Sequence, residues 1–230
     1  MGYGYYSSMI FLLPAILFTM YAQSKINSAY SRYSRVANRR GYTGAQVARM
    51  ILDRNGLTNV PVEMTQGRLS DHYDPMRRVM RLSPEVYRGS TIASACIAAH
   101  ESGHAIQHAS GYVPLSVRSA IAPVVSLVSN LAWPLLFIGL FLGHSDSGNL
   151  LFGLGVLFFC GAVLFQLITL PVEFNASKRA LVQISDMEIL YPEENEGAKK
   201  VLSAAAMTYV AALAMAVANL IRILAMRGRD

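Results

Sequence analysis

Charged residues and cysteine are both scarce in this sequence. Only 15% of its 230 residues are Asp, Glu, Lys or Arg, whereas 53% are hydrophobic. This balance is typical of membrane proteins and argues against a soluble globular domain. The two cysteines, Cys96 and Cys160, lie far apart in apolar runs, which argues against a disulfide framework. None of the five histidines accompanies a Cys-x-x-C pair, which argues against a structural zinc finger.

Acidic residues are outnumbered by basic ones, 14 to 20, so the formal net charge is +6. The basic residues are not interleaved along an aromatic platform, and we therefore expect no nucleic-acid partner. Between residues 25 and 54, Asp53 is the only acid among many basic residues. By the positive-inside rule this region faces the cytoplasm and the N-terminus lies outside. The basic residues are Lys25, Arg32, Arg35, Arg39, Arg40, Arg49 and Arg54.

Four apolar segments approach or reach the length that crosses a bilayer. They are residues 9–22, 120–143, 150–172 and 202–220. The second and third are joined by a short polar turn, residues 143–149, without Lys or Arg, which predicts a transmembrane hairpin with its turn outside. The fourth either crosses the membrane or packs against the rest of the protein. If it crosses, Arg227 and Arg229 finish outside, against the charge rule.

The first segment is predicted to be an uncleaved membrane anchor. It reaches spanning length when it is extended back to Tyr5, and tyrosines at both ends would occupy the aromatic belts of a bilayer. No Lys or Arg precedes it and no small-x-small cleavage site follows it, which argues against a signal peptide. The flanking tyrosines are Tyr3, Tyr5, Tyr6 and Tyr21.

A small domain of helices and strands is predicted after this anchor. Thr43 is expected to cap a helix that ends at Asn55, because apolar residues follow it at helical spacing. Residues 60–64 and 77–82 are predicted strands of a β-hairpin, joined by a turn at 67–75. The exposed edge of the hairpin would hold an extended substrate, or the hairpin would have only a structural role.

The stretch from Cys96 to His108 contains the pattern H-E-x-x-H. In a helix, His100 and His104 leave the same face about 6 Å apart along the axis, as two ligands of one metal do. A catalytic zinc ion has three protein ligands and leaves its fourth position to water. Glu101 would project about 100° round the helix, where it can take a proton from that water without binding the metal. The pattern therefore predicts a zinc-dependent peptide hydrolase.

The surroundings of the motif are small and apolar. Glu101 is the only charged residue in the range 89–117. A helix is predicted to begin at Ser83 and to break near Gly89 and Ser90. The alternative is a surface helix with incidental histidines. Cys96 lies one turn before His100, so it either approaches the metal or fills the core as a small residue.

A third metal ligand has to come from elsewhere in the chain. Glu173 follows the third apolar segment, on the same side of the membrane as the motif, and a carboxylate from a second helix commonly completes such a site. The alternative at this point is that Glu173 only pairs with Arg179 or Lys178.

Four other polar residues are candidates for supporting roles. His108 repeats the four-residue spacing, but by then the helix has advanced another 6 Å, which favours a position at the helix end or beside a ligand. His72 and Tyr73 would orient the substrate or stabilise the oxyanion, since such sites need a donor beyond the metal. Asp71 is a candidate for the same roles, and for the stretch from Asp71 to Asp74 a structural role as a turn is the alternative.

Three stretches of the sequence resemble one known family. They are S-D-H-Y-D-P at 70–75, A-H-E-S-G-H-A-I-Q at 99–107 and P-V-E-F-N-A-S-K-R-A at 171–180. Together they are similar to the neutral zinc metallopeptidases of the bacterial YugP type, membrane proteins similar in arrangement to HtpX-like proteases. The resemblance runs from about Gly41 to the C-terminus. It implies a gluzincin-like site with one zinc ion on His100, His104 and Glu173, and with Glu101 as general base.

Two residues depart from the family pattern. Asn175 stands where the family pattern has an acidic residue. The substitution affects a contact with one of the metal ligands, and it leaves the predicted metal ligands themselves unchanged. Ser177 stands where HtpX-like proteins tend to carry an acid. The orientation of a metal ligand must therefore be supplied differently in this chain.

Residues and resemblance together predict a mainly α membrane protein with a zincin-like (gluzincin) catalytic domain, a small β-hairpin and about four hydrophobic membrane helices. It would be a multi-pass protein of the bacterial inner membrane with its active site facing the cytoplasm. The expected division is an N-terminal anchor at 1–24, a metalloprotease domain at 25–119, a transmembrane hairpin at 120–172, a helix with the third ligand and an acidic loop at 173–200, and a hydrophobic helix at 201–230.

The expected activity is endopeptidase cleavage of membrane or membrane-proximal proteins, so the expected partners are polypeptide substrates and the lipid bilayer. The alternative is a non-catalytic membrane scaffold or regulatory protein with a structural zinc site. A site-2-type intramembrane protease is disfavoured, because only residues 92–99 form an apolar run ahead of His100 and polar residues follow it.

Overall fold

The computed structural model describes residues 9–227, in which helices predominate. The helices are α1 (Leu13–Tyr33), α2 (Gly44–Arg54), α3 (Pro84–Arg88), α4 (Ile92–Ala109), α5 (Val113–Phe141), α6 (Asp146–Asp186) and α7 (Asn195–Arg227), and a short 3-10 helix (Pro192–Glu194) precedes α7. The strands are β1 (Val62–Met64), β2 (His72–Asp74) and β3 (Val79–Leu82). The predictions that concern Tyr3, Tyr5, Tyr6 and Arg229 lie outside the described residues, as does the side chain of Arg227.

The described chain forms two compact units. The motif unit consists of Gln23–Leu115 and Val172–Met207, and the apolar unit consists of the described parts of residues 1–22, 116–171 and 208–230. Each unit has buried apolar residues of its own, which is what allows it to be compact. In the motif unit these include Val47, Ile51, Leu52, Met80, Leu82, Cys96, Ile184 and Leu190. In the apolar unit they include Ala132, Leu136, Phe152, Phe159 and Ile223.

Helix α2 confirms the prediction made from its capping residue. The Thr43 hydroxyl accepts a hydrogen bond from the Gln46 N–H, and the Gln46 side chain accepts one from the Thr43 N–H, which completes a capping box. Asn55 ends the helix as expected. The four residues at helical spacing are fully buried and fix the helix in the core: Val47, Ala48, Ile51 and Leu52.

The sheet corrects the predicted hairpin. β1 pairs with β3 in parallel, and a third strand inside the predicted turn, β2, pairs with β3 antiparallel, so the strand order is β1-β3-β2. The true hairpin is β2 and β3. Its tight turn is stabilised by Asp74, whose carboxylate accepts hydrogen bonds from the N–H groups of Met76 and Arg77. A strand of three residues is too short to show the alternation that identifies strands in a sequence.

The motif helix α4 begins after the predicted break. The short helix α3 ends at Arg88, and Thr91 then caps α4 by accepting a hydrogen bond from the Ser94 N–H at 3.1 Å. Much of the first half of α4 is alanine, and this part of the helix is buried. Small side chains let neighbouring elements pack closely against this part of the helix.

Three helices in the described part of the chain are long and apolar enough to cross a membrane: Val113–Phe141, Asp146–Asp186 and Pro192–Met226. They cover the last three predicted apolar segments, except that the first of these helices ends at Phe141, two residues before the predicted end at Gly143. The first predicted segment ends inside α1, which does not meet these criteria within the described residues, and the N-terminal anchor stays a prediction.

Helix α6 is longer than the apolar segment that predicted it. It continues through Pro171 to Asp186 and so joins a membrane-length stretch to the helix predicted at 181–190. It ends four residues earlier than predicted, because Glu188 adopts a positive φ of 48° and the Ile189 N–H bonds back to the Ile184 carbonyl.

Candidate metal centre

Helices α4 and α6 bring together the three predicted metal ligands. His100 and His104 project from α4 with ring centroids 4.9 Å apart, and Glu173 projects from α6. Glu173 Oε2 lies 3.3 Å from His100 Nε2 and 3.6 Å from His104 Nε2. One ligand atom from each residue lies within 4.8 Å of the others, which makes them a group able to hold a metal ion.

The distances fit zinc. Ligands about 2.0–2.1 Å from a tetrahedral ion stand about 3.4 Å from each other, which matches the two separations from Glu173. A charge-assisted hydrogen bond between an imidazolium and a carboxylate would be shorter, about 2.7–2.9 Å. Two imidazole nitrogens and one carboxylate oxygen are also the donor set of catalytic zinc sites that leave a fourth position open.

The electrostatics of the cluster favour a positive charge. Glu173 is only 2% exposed, and a carboxylate buried to that extent needs cationic or hydrogen-bonding partners. Burial lowers the pKa of His104, but the Glu173 and Glu101 carboxylates more than offset this effect and raise it above its ordinary value. The field that favours a proton on this imidazole also favours a divalent cation beside it.

Each imidazole is held through its other nitrogen. The Ser177 hydroxyl lies 3.2 Å from His100 Nδ1, and the Gln107 Oε1 atom lies 3.0 Å from His104 Nδ1. Both rings therefore present Nε2 toward Glu173, as supporting contacts around metal sites do. Ser177 thus contacts one of the two imidazoles with a hydroxyl group rather than with an acid.

Gln107 was not identified from the sequence pattern, although it lies three residues after His104, on the same helical face. It is fully buried, and its Nε2 donates to the Val172 carbonyl at 2.8 Å and to Asn175 Oδ1 at 3.0 Å. Asn175 Oδ1 also accepts a hydrogen bond from Arg179 Nε at 2.8 Å. Arg179 is thus directed at Asn175, and the Glu173 carboxylate meets the two imidazoles.

Gly103 was also missed. Its α-carbon faces the backbone of Ala176 so closely that no larger residue fits without displacement. A glycine inside a helix costs about 1 kcal/mol relative to alanine and usually has a packing reason, and this is the signal that could have identified it.

Glu101 is tied to strand β2. Its Oε2 accepts a hydrogen bond from the Tyr73 N–H at 3.0 Å, and the Tyr73 hydroxyl lies 2.9 Å from His108 Nδ1 in the last turn of α4. At Tyr73 the outer N–H of this edge strand therefore serves Glu101 rather than a substrate strand. His108 is not part of the metal-binding group found among the described residues.

The remaining candidates serve the local structure. The exposed His72 ring contacts the Ser70 carbonyl through Nδ1 at 2.7 Å. Burial raises the pKa of Asp71, whose carboxylate accepts hydrogen bonds from the N–H and the hydroxyl of Ser83. Cys96 is fully buried in the core, where burial raises the pKa of its thiol to about 12, and it lies outside the metal-binding group.

Comparisons with known proteins agree with this chemistry. Residues 8–228 match the model of a family described as "Putative neutral zinc metallopeptidase". The chain is 49% identical over 225 residues to a protein of Bacillus subtilis (strain 168) named "Putative membrane protease YugP", covering 96% of this chain and 98% of that protein. No solved structure matches the chain.

Proposed function

The chain belongs to the neutral zinc metallopeptidase family, and on that premise we propose that it is a membrane-embedded zinc endopeptidase of the gluzincin type. The observation that carries this proposal is the meeting of His100, His104 and Glu173 from two helices far apart in sequence. One zinc ion per chain would be held by these three residues. When bound, zinc supplies a Lewis acid that polarises the scissile carbonyl and makes a neighbouring water easier to deprotonate.

Glu101 is the proposed general base. It follows His100 directly on α4, so its carboxylate stays beside the two imidazoles without belonging to the metal-binding group. The hydrogen bond from the Tyr73 N–H fixes the carboxylate through Oε2, and its other oxygen then takes the proton of the attacking water. The same carboxyl group passes this proton to the leaving amine of the cleaved peptide.

Tyr73 is the proposed donor to the oxyanion that develops during peptide hydrolysis. Its backbone is fixed at Glu101, and its hydroxyl oxygen accepts from His108 Nδ1 in the tautomer that carries hydrogen there, so the side chain is held beside the motif helix and its one hydroxyl hydrogen is left for the oxyanion. A donor that is already in place when charge develops is worth more than one that must first reorient. His72, exposed and bonded to its own chain, is the weaker candidate.

The substrates proposed are membrane or membrane-proximal polypeptides, and the active site is proposed to face the cytoplasm in a multi-pass inner-membrane protein. The three helices of membrane-spanning length support the location. Orientation follows from charge, since basic residues crowd positions 25–54 whereas the turn at 143–149 has neither Lys nor Arg.

The decisive experiment compares the wild-type protein with Glu101→Gln, both purified in detergent. We expect the variant to keep its zinc by elemental analysis and to cleave unfolded casein about 10²–10⁴-fold more slowly, the contribution of a general base. Glu85→Gln, an exposed glutamate of the same unit, is the matched control and should cleave like the wild type. Removal of zinc by a chelator should abolish cleavage, and added zinc should restore it.

Unchanged cleavage by Glu101→Gln would reject this residue as the base. A wild-type protein that binds zinc and hydrolyses none of the proteins offered would favour the alternative of a scaffold or regulatory protein with a structural zinc site.

A further inference from the structure

We propose that Gln107, Asn175 and Arg179 form a hydrogen-bonded relay that fixes His104 in the tautomer whose Nε2 lone pair faces the metal. These three are positioning residues, because they act on the metal through His104. The inference deepens the proposed function and rests on it in one respect, namely that His104 is a zinc ligand.

The relay is anchored at Val172. A backbone carbonyl can only accept a hydrogen bond, so the group of Gln107 that lies 2.8 Å from the Val172 oxygen must be its NH₂ group. The amide oxygen of Gln107 must then be the atom that lies 3.0 Å from His104 Nδ1. An amide oxygen accepts only, so Nδ1 carries the hydrogen, and neutral His104 keeps its lone pair on Nε2, the nitrogen directed at Glu173.

Arg179 anchors the same assignment from the other end. Its guanidinium can only donate, so the atom of Asn175 that lies 2.8 Å from Arg179 Nε must be Oδ1. That oxygen also accepts the second N–H of Gln107 at 3.0 Å. Gln107 is fully buried, and a flipped amide would set its oxygen against two other oxygens with no water to relieve them.

The two histidines differ in this respect. His100 Nδ1 contacts the Ser177 hydroxyl, which can donate or accept and therefore permits either tautomer. His104 Nδ1 contacts the amide oxygen of Gln107. The orientation of that amide is fixed by the Val172 carbonyl and by Asn175 Oδ1, which both accept from its NH₂ group. The relay is also complete with Asn175 at a position where the family resemblance suggests an acid, since an amide oxygen accepts from Gln107 and Arg179 as a carboxylate oxygen would.

The first test measures the zinc dissociation constant of the full-length protein in detergent, by competition with a chelator. Gln107→Met keeps the length of the side chain without its polar atoms and should raise the constant about 10–100-fold. Asn175→Leu should raise it by less, because the Val172 carbonyl still orients Gln107. Asn175→Asp should remain close to the wild type, because it keeps the accepting oxygen.

The matched control is Gln183→Met on α6, the helix that also carries Asn175. Gln183 accepts a hydrogen bond from Asn55 at 3.1 Å, so the substitution removes a side-chain hydrogen bond about 15 Å along the helix from Glu173. Its zinc affinity should not change. A general loss of stability would affect this control and Gln107→Met alike.

The second test reads the tautomer directly. In metal-free protein labelled with ¹⁵N-histidine, at a pH where imidazoles are neutral, the His104 nitrogens should show hydrogen on Nδ1 in the wild type and in Asn175→Asp. They should show a mixture of tautomers in Gln107→Met, with the His100 signals unchanged.

Wild-type zinc affinity and an unchanged His104 tautomer in Gln107→Met would overturn the relay while leaving the proposed function intact. So would a loss in Asn175→Asp as large as that in Asn175→Leu, because the accepting oxygen would then be irrelevant. If the affinities and tautomers follow the expectation but the wild type cleaves no protein, the relay stands and the proposed function fails.

Discussion

The α-carbon of Gly103 lies directly against the backbone of Ala176. A Cβ added to Gly103 would stand 2.6 Å from the Ala176 carbonyl oxygen and 3.1 Å from its Cα. Helices α4 and α6 therefore meet backbone to backbone beside the metal centre, to which α4 contributes His100 and His104 and α6 contributes Glu173. This close approach of the two helices lets Glu173 lie 3.3 and 3.6 Å from the imidazoles of His100 and His104.

Replacing Gly103 with alanine should damage the metal centre. The added methyl group meets backbone atoms that cannot rotate away, so we expect unfolding to become easier by about 1–3 kcal/mol, the usual cost of overpacking. Zinc affinity should fall as well, because the helices must separate. Gly153→Ala is the control, since nothing lies within 4 Å of its Cβ position. Wild-type thermal stability and zinc affinity in Gly103→Ala would contradict this account of the helix contact.

Replacing Glu173 with glutamine should weaken zinc binding by more than about 100-fold, the upper end for residues that merely support a ligand. The amide removes the negative charge that the two imidazoles face at 3.3 and 3.6 Å. Glu194→Gln is a matched control, because Glu194 is also a buried glutamate and accepts hydrogen bonds from the N–H groups of Arg39 and Tyr191. Full zinc occupancy in Glu173→Gln, measured by elemental analysis after dialysis, would mean that another residue is the third ligand.

Removing the Tyr73 hydroxyl should slow catalysis without releasing zinc. In Tyr73→Phe the backbone bond to Glu101 remains, and we expect kcat on casein to fall about 10²–10³-fold with little change in KM, as for other oxyanion donors. His72→Ala should retain wild-type kinetics, because that ring is exposed and contacts its own chain. The reverse pattern, with the loss in His72→Ala, would transfer the role to His72.

Labelling with a membrane-impermeant thiol reagent should reveal the orientation of the chain. In a Cys160→Ala background, with Cys96 buried in the core, a cysteine replacing Ser147 should react in intact cells. A cysteine replacing the exposed Gln66 should react only after permeabilisation. Labelling of Gln66→Cys from outside would place the metal centre on the opposite side of the membrane and reverse the proposed topology.

Local sequence sufficed wherever the deciding interaction lies within a few residues. The capping box at Thr43, the burial of the α2 face and the break before α4 all followed from such contacts. The strand pairing did not, because the three-residue β2 is too short to be recognised by alternation, and β1 pairs in parallel with β3, which follows β2 in the sequence.

The sequence by itself determined that two imidazoles share one helix face, because the period of an α-helix leaves His100 and His104 no other arrangement. It also determined which segments are apolar enough to lie in a bilayer, since that property depends on composition alone. Only the tertiary structure decided which oxygen faces those imidazoles and how they are oriented. Glu173, Asn175 and Ser177 on α6 meet His100 and Gln107 on α4, although more than 60 residues of chain separate the two groups. The close packing of α4 on α6 at Gly103 brings them into contact.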